Sequence, residues 1–343
     1  MPQLCRRQKQ QVHTPVCESF FVANNGNDSN AGTSESPWKT ITGAANKSTV
    51  KAGDCITVRA GTYPENTMYL NRGGNADTAT GYLVIRSEVP HKAIVKGGQA
   101  YSTMVLNANY MIIDGFEIDG TNTATGHGIE CEGEHHVKIL NNVSHNNGGS
   151  GISCAWGEYF QIEGNILYEN AWNSWNSGIS IYQARNISGN TTDTGFRNII
   201  RNNISFNNLT RPEKGPHTDG NGIILDDFNH TQIDGFPVYP YKTLVENNLA
   251  FGNGGKGIQT AWSNNVTVRN NTVYQNNRDN YNDGTWRGDL NNQSSLHNTW
   301  VNNISVTDKA VNANNTAISD VGEENEDVIW KNNLTFNGTV GQA

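Results

Sequence analysis

Long apolar runs are missing from this chain of 343 residues, and no stretch approaches the length needed to cross a membrane. Hydrophobic residues supply 35% and charged residues 16%, both low for a globular chain. Low charge combined with 8 Trp and 12 Tyr excludes a disordered, self-repelling polymer. Basic excess is also absent. The formal net charge of −8 disfavours nucleic acid as a partner, and an anionic ligand would need a cation or a local basic patch. The 5 cysteines fit no metal-binding spacing. Residues 1–18, which hold Cys5 and Cys17, have no apolar core of the kind a signal peptide needs and read as a flexible tail.

Asn and Gly fill the space left by these absences. Both tolerate left-handed backbone, so the composition points to many short strands joined by many turns. The strands repeat. One phrase reads NNVSHNN (141–147), GNILYEN (164–170), NNISFNN (202–208), NNLAFGN (247–253), NNTVYQN (270–276), NNISV (302–306) and NNLTF (332–336). A second reads HGIEC (127–131), SGISC (150–154), SGISI (177–181), NGIIL (221–225) and KGIQT (256–260). The phrases alternate, with a shortest period of 23 residues from Gly128 to Gly151. A period in this range marks a solenoid, and the β-branched and aromatic units leave no room for a helical pattern.

The chain is therefore read as one all-β domain over residues 19–343, a right-handed parallel β-helix whose equivalent strands stack about 4.8 Å apart. A short N-terminal capping helix is expected near 37–47, covering open strand edges. Loop insertions are expected at 171–177, 209–220, 228–242 and 277–297. Asn142, Asn165, Asn203, Asn248, Asn271, Asn303 and Asn333 are expected to stack as an amide ladder at one turn. The Asn-x-Ser/Thr sequons within this set follow from the repeat itself.

Aligning the second phrase on its glycine sets a register. Ile129, Cys131, Ile152, Cys154, Ile179, Ile181, Ile223 and Leu225 point inward. Cys131 and Cys154 then lie on adjacent coils, as a disulfide or as stacked thiols. Outward columns hold Glu130, Ser153, Ser180, Ile224 and Gln259, then Glu132, Ala155, Tyr182, Asp226 and Ala261. Gly133, Trp156, Gln183, Asp227 and Trp262 follow at the strand ends. Asp226 and Asp227, with Asp219 in the approach, thus meet Tyr182, Gln183 and Trp262, with Trp175 and His217 on flanking loops. Carboxylates beside aromatic faces in a groove suit a carbohydrate chain, whose C–H faces stack on Trp and Tyr.

The entry segment, FFVANNGNDSNAGTSESPWKTITGAANKSTVKAGDCITVRAGTY, resembles that of secreted β-helix proteins acting on polysaccharides. Paired aspartates at a strand edge, followed about one coil later by Lys256 in NGGKGIQT, resemble the ninth polysaccharide lyase family. The resemblance implies a secreted, monomeric enzyme that cleaves a uronate-containing polysaccharide by β-elimination. It implies Ca²⁺ held by Asp219, Asp226 and Asp227, with Lys256 taking the proton α to the uronate carboxylate. The chain departs from the family pattern at His230 and at Asn202 or Asn203, where aspartates are expected. Lys256 aligns with Asn221, five residues of extended strand, or about 16 Å, from Asp226.

Two other classes fit the same surface. A glycoside hydrolase would pair Asp226 with Asp219, Glu130 or Glu132 about 5 to 9 Å apart. A non-catalytic glycan-binding β-helix would show a uniform repeat, against which the clustering of long loops around one coil counts. A uronate epimerase would carry an Asp-Pro-His motif, which is missing.

Overall fold

The computed structural model describes residues 19–98, 101–282, 286–322 and 325–338, so Cys5, Cys17 and the 1–18 tail lie outside the described residues. The strands form three sheets of 11, 9 and 10 strands, every ladder parallel, with each sheet taking every third strand along most of the chain. This is a parallel β-helix. Each coil crosses the three sheets in turn, and its inward side chains form one continuous core: Ile139, Ile162 and Val268 from the largest sheet, and Leu167, Ala250 and Val273 from the ten-stranded one.

The nine-stranded sheet carries the Gly-Ile phrase in the expected register. Ile129 pairs with Ile152, Ile152 with Ile179, Ile179 with Ile223 and Ile223 with Ile258. The eight expected inward residues are all 0% exposed. Cys131 and Cys154 are Cα partners and form a disulfide inside the core.

The amide ladder runs through all seven expected asparagines. Asn142 Nδ2 donates to Asn165 Oδ1, and the pattern repeats through Asn203, Asn248, Asn271, Asn303 and Asn333 at 2.9–3.2 Å. Positive φ belongs to the preceding residue instead: Asn141, Gly164, Asn202, Asn247, Asn270, Asn302 and Asn332. The Asn-Asn doublet therefore divides two tasks, the first residue turning the chain and the second bonding to the next coil. A second ladder links Asn147, Asn170, Asn208, Asn253 and Asn276, and Asp289 ends it by accepting the Asn276 N–H.

The capping helix is Ile41–Ala45, inside the expected segment, with Ile41, Ala44 and Ala45 buried against the first coils. Thr40 caps it, and the Glu65 carboxylate accepts the free N–H groups of Ile41 and Thr42.

The 277–297 segment is not a plain loop. Gly288–Gln293 is a strand that extends the nine-stranded sheet, with Leu290 opposite Ile258. Its sequence, GDLNNQ, places Asp289 where the other coils have glycine, which hid it from the Gly-Ile alignment.

Candidate active site

The outer face of the nine-stranded sheet is hollowed into a groove of about 920 Å³. It runs across successive coils from His127 and Glu132 at one end to Trp286 and Gln293 at the other. Its floor is the two outward columns: Ser153, Ser180, Ile224 and Gln259, beside Glu132, Ala155, Tyr182, Asp226 and Ala261.

The strand ends explain the acidic doublet. Gly133, Trp156, Gln183, Asp227, Trp262 and Ser294 all have φ between 43° and 87°, so each of these six coils leaves the sheet through a left-handed residue. Such a turn, present in these six coils and not in the first two coils of the sheet, separates Asp226 from Asp227. Asp226 faces the groove. Asp227 is 0% exposed, and the 228–242 loop folds over its carboxylate. Oδ1 accepts from Thr231 N at 2.6 Å and Thr231 Oγ1 at 2.7 Å, and Oδ2 from Gln183 Nε2 at 2.7 Å and Gln232 N at 3.1 Å. Gln183 is also buried, its Oε1 accepting from Trp156 Nε1 at 2.9 Å, so it braces a groove tryptophan without lining the groove. Neither Asp227 nor Gln183 is free to meet a ligand.

His217 is likewise turned away from the groove, Nδ1 bonded to Asp279 Oδ2 at 2.6 Å. His230, where the family pattern expects a carboxylate, has Nδ1 on Pro237 O and Nε2 on Gln183 O. Asn203 is a rung of the ladder and Asn202 is bonded to Glu163. Tyr182, Trp175, Trp262, Asp219, Asp226 and Lys256 all line the groove.

Lys256 holds the centre of this set. It is 2% exposed, and its Nζ donates to Thr218 O at 2.9 Å. Burial pulls its pKa down to about 8, opposed by the charge of Asp219. Asp219 is raised by burial, with Lys256 pulling the other way. Burial also pushes Asp226 up to about 8, aided by the charges of Asp219 and Asp227. Asp219 thus acts on both Lys256 and Asp226 and links residues that the strand register holds apart. Asn221 organises the group: its Nδ2 donates to Asp219 Oδ1 and to Gln259 Oε1, and its Oδ1 accepts the Lys256 N–H. Lys256 is the sole Lys or Arg lining the groove among the described residues.

Sequence reasoning missed several lining residues. Gln259 and Trp156 stood in the aligned columns, but nothing in one sequence marked them as contacts. Gln293 and Trp286 belong to the coil that the Asp289 substitution concealed.

The Ca²⁺ that the resemblance implies does not fit these donors. Among the described residues, no three His, Cys, Asp or Glu side chains converge as ligands. Asp227 is saturated by loop donors, and Asp219 is bonded by Asn221 and Thr218.

A family model described as the Pel9A-like right-handed β-helix region matches residues 20–171. Those residues, under half of the chain, are similar to that family's β-helix region. The match ends before Asp219, Asp226 and Lys256. An alginate lyase from Paenibacillus sp. str. FPU-7 superposes with TM-score 0.55 at 18% identity, covering 85% of this chain and 94% of that one. A rhamnogalacturonan lyase gives 0.53 at 16%, covering 90% and 86%. A GH136 lacto-N-biosidase from Eubacterium ramulus gives 0.51 at 11%, covering 93% and 67%. At these identities the likeness is one of fold. No curated protein sequence matches the chain.

Proposed function

We propose that this protein is a polysaccharide lyase that cleaves a uronate-containing chain by β-elimination, with Lys256 as the base. The observation that carries the reading is Lys256 itself: a buried amine in the carbohydrate-sized groove, depressed to about 8 and thus able to lose its proton near neutral pH. Lys256 takes the proton from the carbon α to the uronate carboxylate. The bond to the β oxygen breaks, a carbon–carbon double bond forms, and the proton on Lys256 is available to the departing oxygen. The Thr218 carbonyl holds the amine, and Asn221 ties the Lys256 backbone to Asp219. Asp226, protonated below about pH 8, meets the polyanion as a hydrogen-bond donor and not as a repelling charge. Trp156, Trp175, Tyr182 and Trp262 offer rings to sugar faces. No step is assigned to a metal. The core disulfide supports an oxidising, extracellular location.

A hydrolase is the second reading, favoured by the protonated Asp226, which has the state a general acid needs. A screen of acidic and neutral polysaccharides separates the two. Elimination gives the ultraviolet absorbance of an unsaturated uronate, undiminished by a chelator. New reducing ends without that absorbance mark hydrolysis and refute the lyase reading.

A further inference from the structure

The groove changes character along its length. Around Gln259, Trp262, Trp286 and Gln293 it is amide and aromatic. At the opposite end Glu132 and His127 line it, with Glu130 and Glu134 packed behind, 3% and 8% exposed. The Tyr101 hydroxyl donates to Glu130 Oε1 at 3.1 Å. Oε2 of Glu130 and Oε2 of Glu134 have no donor, and the Glu132 carboxyl offers Glu130 one only by sharing a proton. His127 Nδ1 accepts the Ser150 N–H. None of the ion pairs among the described residues reaches Glu130, Glu132 or Glu134. The Oε2 atoms of Glu130 and Glu134 are thus buried beside the groove, and no ion-pair cation among the described residues compensates this cluster.

Four strand-to-strand steps separate Ile129–Glu132 from Ile258–Ala261. At about 4.8 Å per step this is about 19 Å. A pyranose unit in an extended chain advances by roughly one such step, so the carboxyl end lies about four units from the sugar at Lys256.

We propose that this end of the groove is a subsite for a sugar without a carboxylate, whose hydroxyls donate to Glu132, so that the substrate is a heteropolysaccharide and not a homopolyuronate. The proposal rests on the elimination reading of the same groove. A uronate in this position would set its carboxylate against the Glu130–Glu132 pair, which carries one negative charge when it shares a single proton and meets no ion-pair cation among the described residues, a like-charge contact that selects against it. A neutral sugar offers hydroxyl donors to Glu132 and brings no charge of its own.

The test compares wild type with Glu132→Gln, and with Glu132→Ala as a second exposed-site variant, on polygalacturonate and on a polymer in which single neutral sugars interrupt the uronate chain, so that a neutral sugar stands about four units from a cleaved uronate. Unsaturated product is the readout, and thermal denaturation checks that each variant folds. Wild type is expected to prefer the interrupted polymer at least about tenfold in kcat/KM. Both variants are expected to gain about tenfold on polygalacturonate, and to show no gain on fragments of three units, which cannot span from Lys256 to Glu132. Equal wild-type rates on the two polymers, or a preference that neither substitution changes, overturn the subsite while elimination stands. Absence of unsaturated product from both polymers overturns the elimination reading, and the subsite with it.

Discussion

Lys256 and Asp226 share a pKa near 8 for the same reason, burial, but with opposite signs. Raising pH through 8 frees the Lys256 amine, so kcat rises. Over the same range Asp226 ionises and repels a polyanion, so KM rises as well, and kcat/KM is expected to peak near pH 8. Asp226→Asn should abolish the alkaline rise in KM and leave the rise in kcat, measurable from initial rates between pH 6 and pH 10 (values about two units either side of the shared pKa). Asp289 gives a stability counterpart. It is 0% exposed, and burial pushes it up to about 7 from 3.8. A carboxyl raised in the folded state stabilises fully below its unfolded pKa, and that contribution is lost as pH rises through about 7. Asp289→Asn should therefore gain on wild type across that window, by up to about 4 kcal/mol, read as a Tm difference that opens between acidic and neutral pH.

Strands and turns show what the sequence could reveal. The Gly-Ile and Asn-Asn phrases repeat because every coil must satisfy the same parallel pairing, so columns and ladder were legible from spacing alone. The roles of Asp226 and Asp227 were not. They depend on a left-handed residue at the strand end and on a loop whose donors are revealed only by its folded path. The Gly288–Gln293 strand escaped because its glycine position is occupied by the aspartate that ends the second ladder. If Asp227 serves the 228–242 loop, Asp227→Ala leaves the donors of Thr231, Gln232 and Gln183 unsatisfied. The expected cost is about 2–4 kcal/mol, with faster proteolysis within 228–242. Lost activity with unchanged Tm and proteolysis would return Asp227 to the catalytic group.

At the scale of the molecule, a rigid solenoid presents one wall on which residues distant in sequence act together, from His127 to Gln293. The Cys131–Cys154 disulfide ties coils at the Glu132 end of that wall across a separation of 23 residues. Closing a loop of this size contributes about 3 kcal/mol, so reduction should lower Tm by several degrees, while Cys131→Ala with Cys154→Ala should make Tm insensitive to reductant. The account as a whole turns on Lys256. The most direct measurement is the rate of unsaturated-uronate formation at pH 8 (about the Lys256 pKa) by wild type and by Lys256→Ala, with matched circular dichroism. A loss of about a thousandfold in a folded variant is the predicted result; a rate within a few fold of wild type would contradict it.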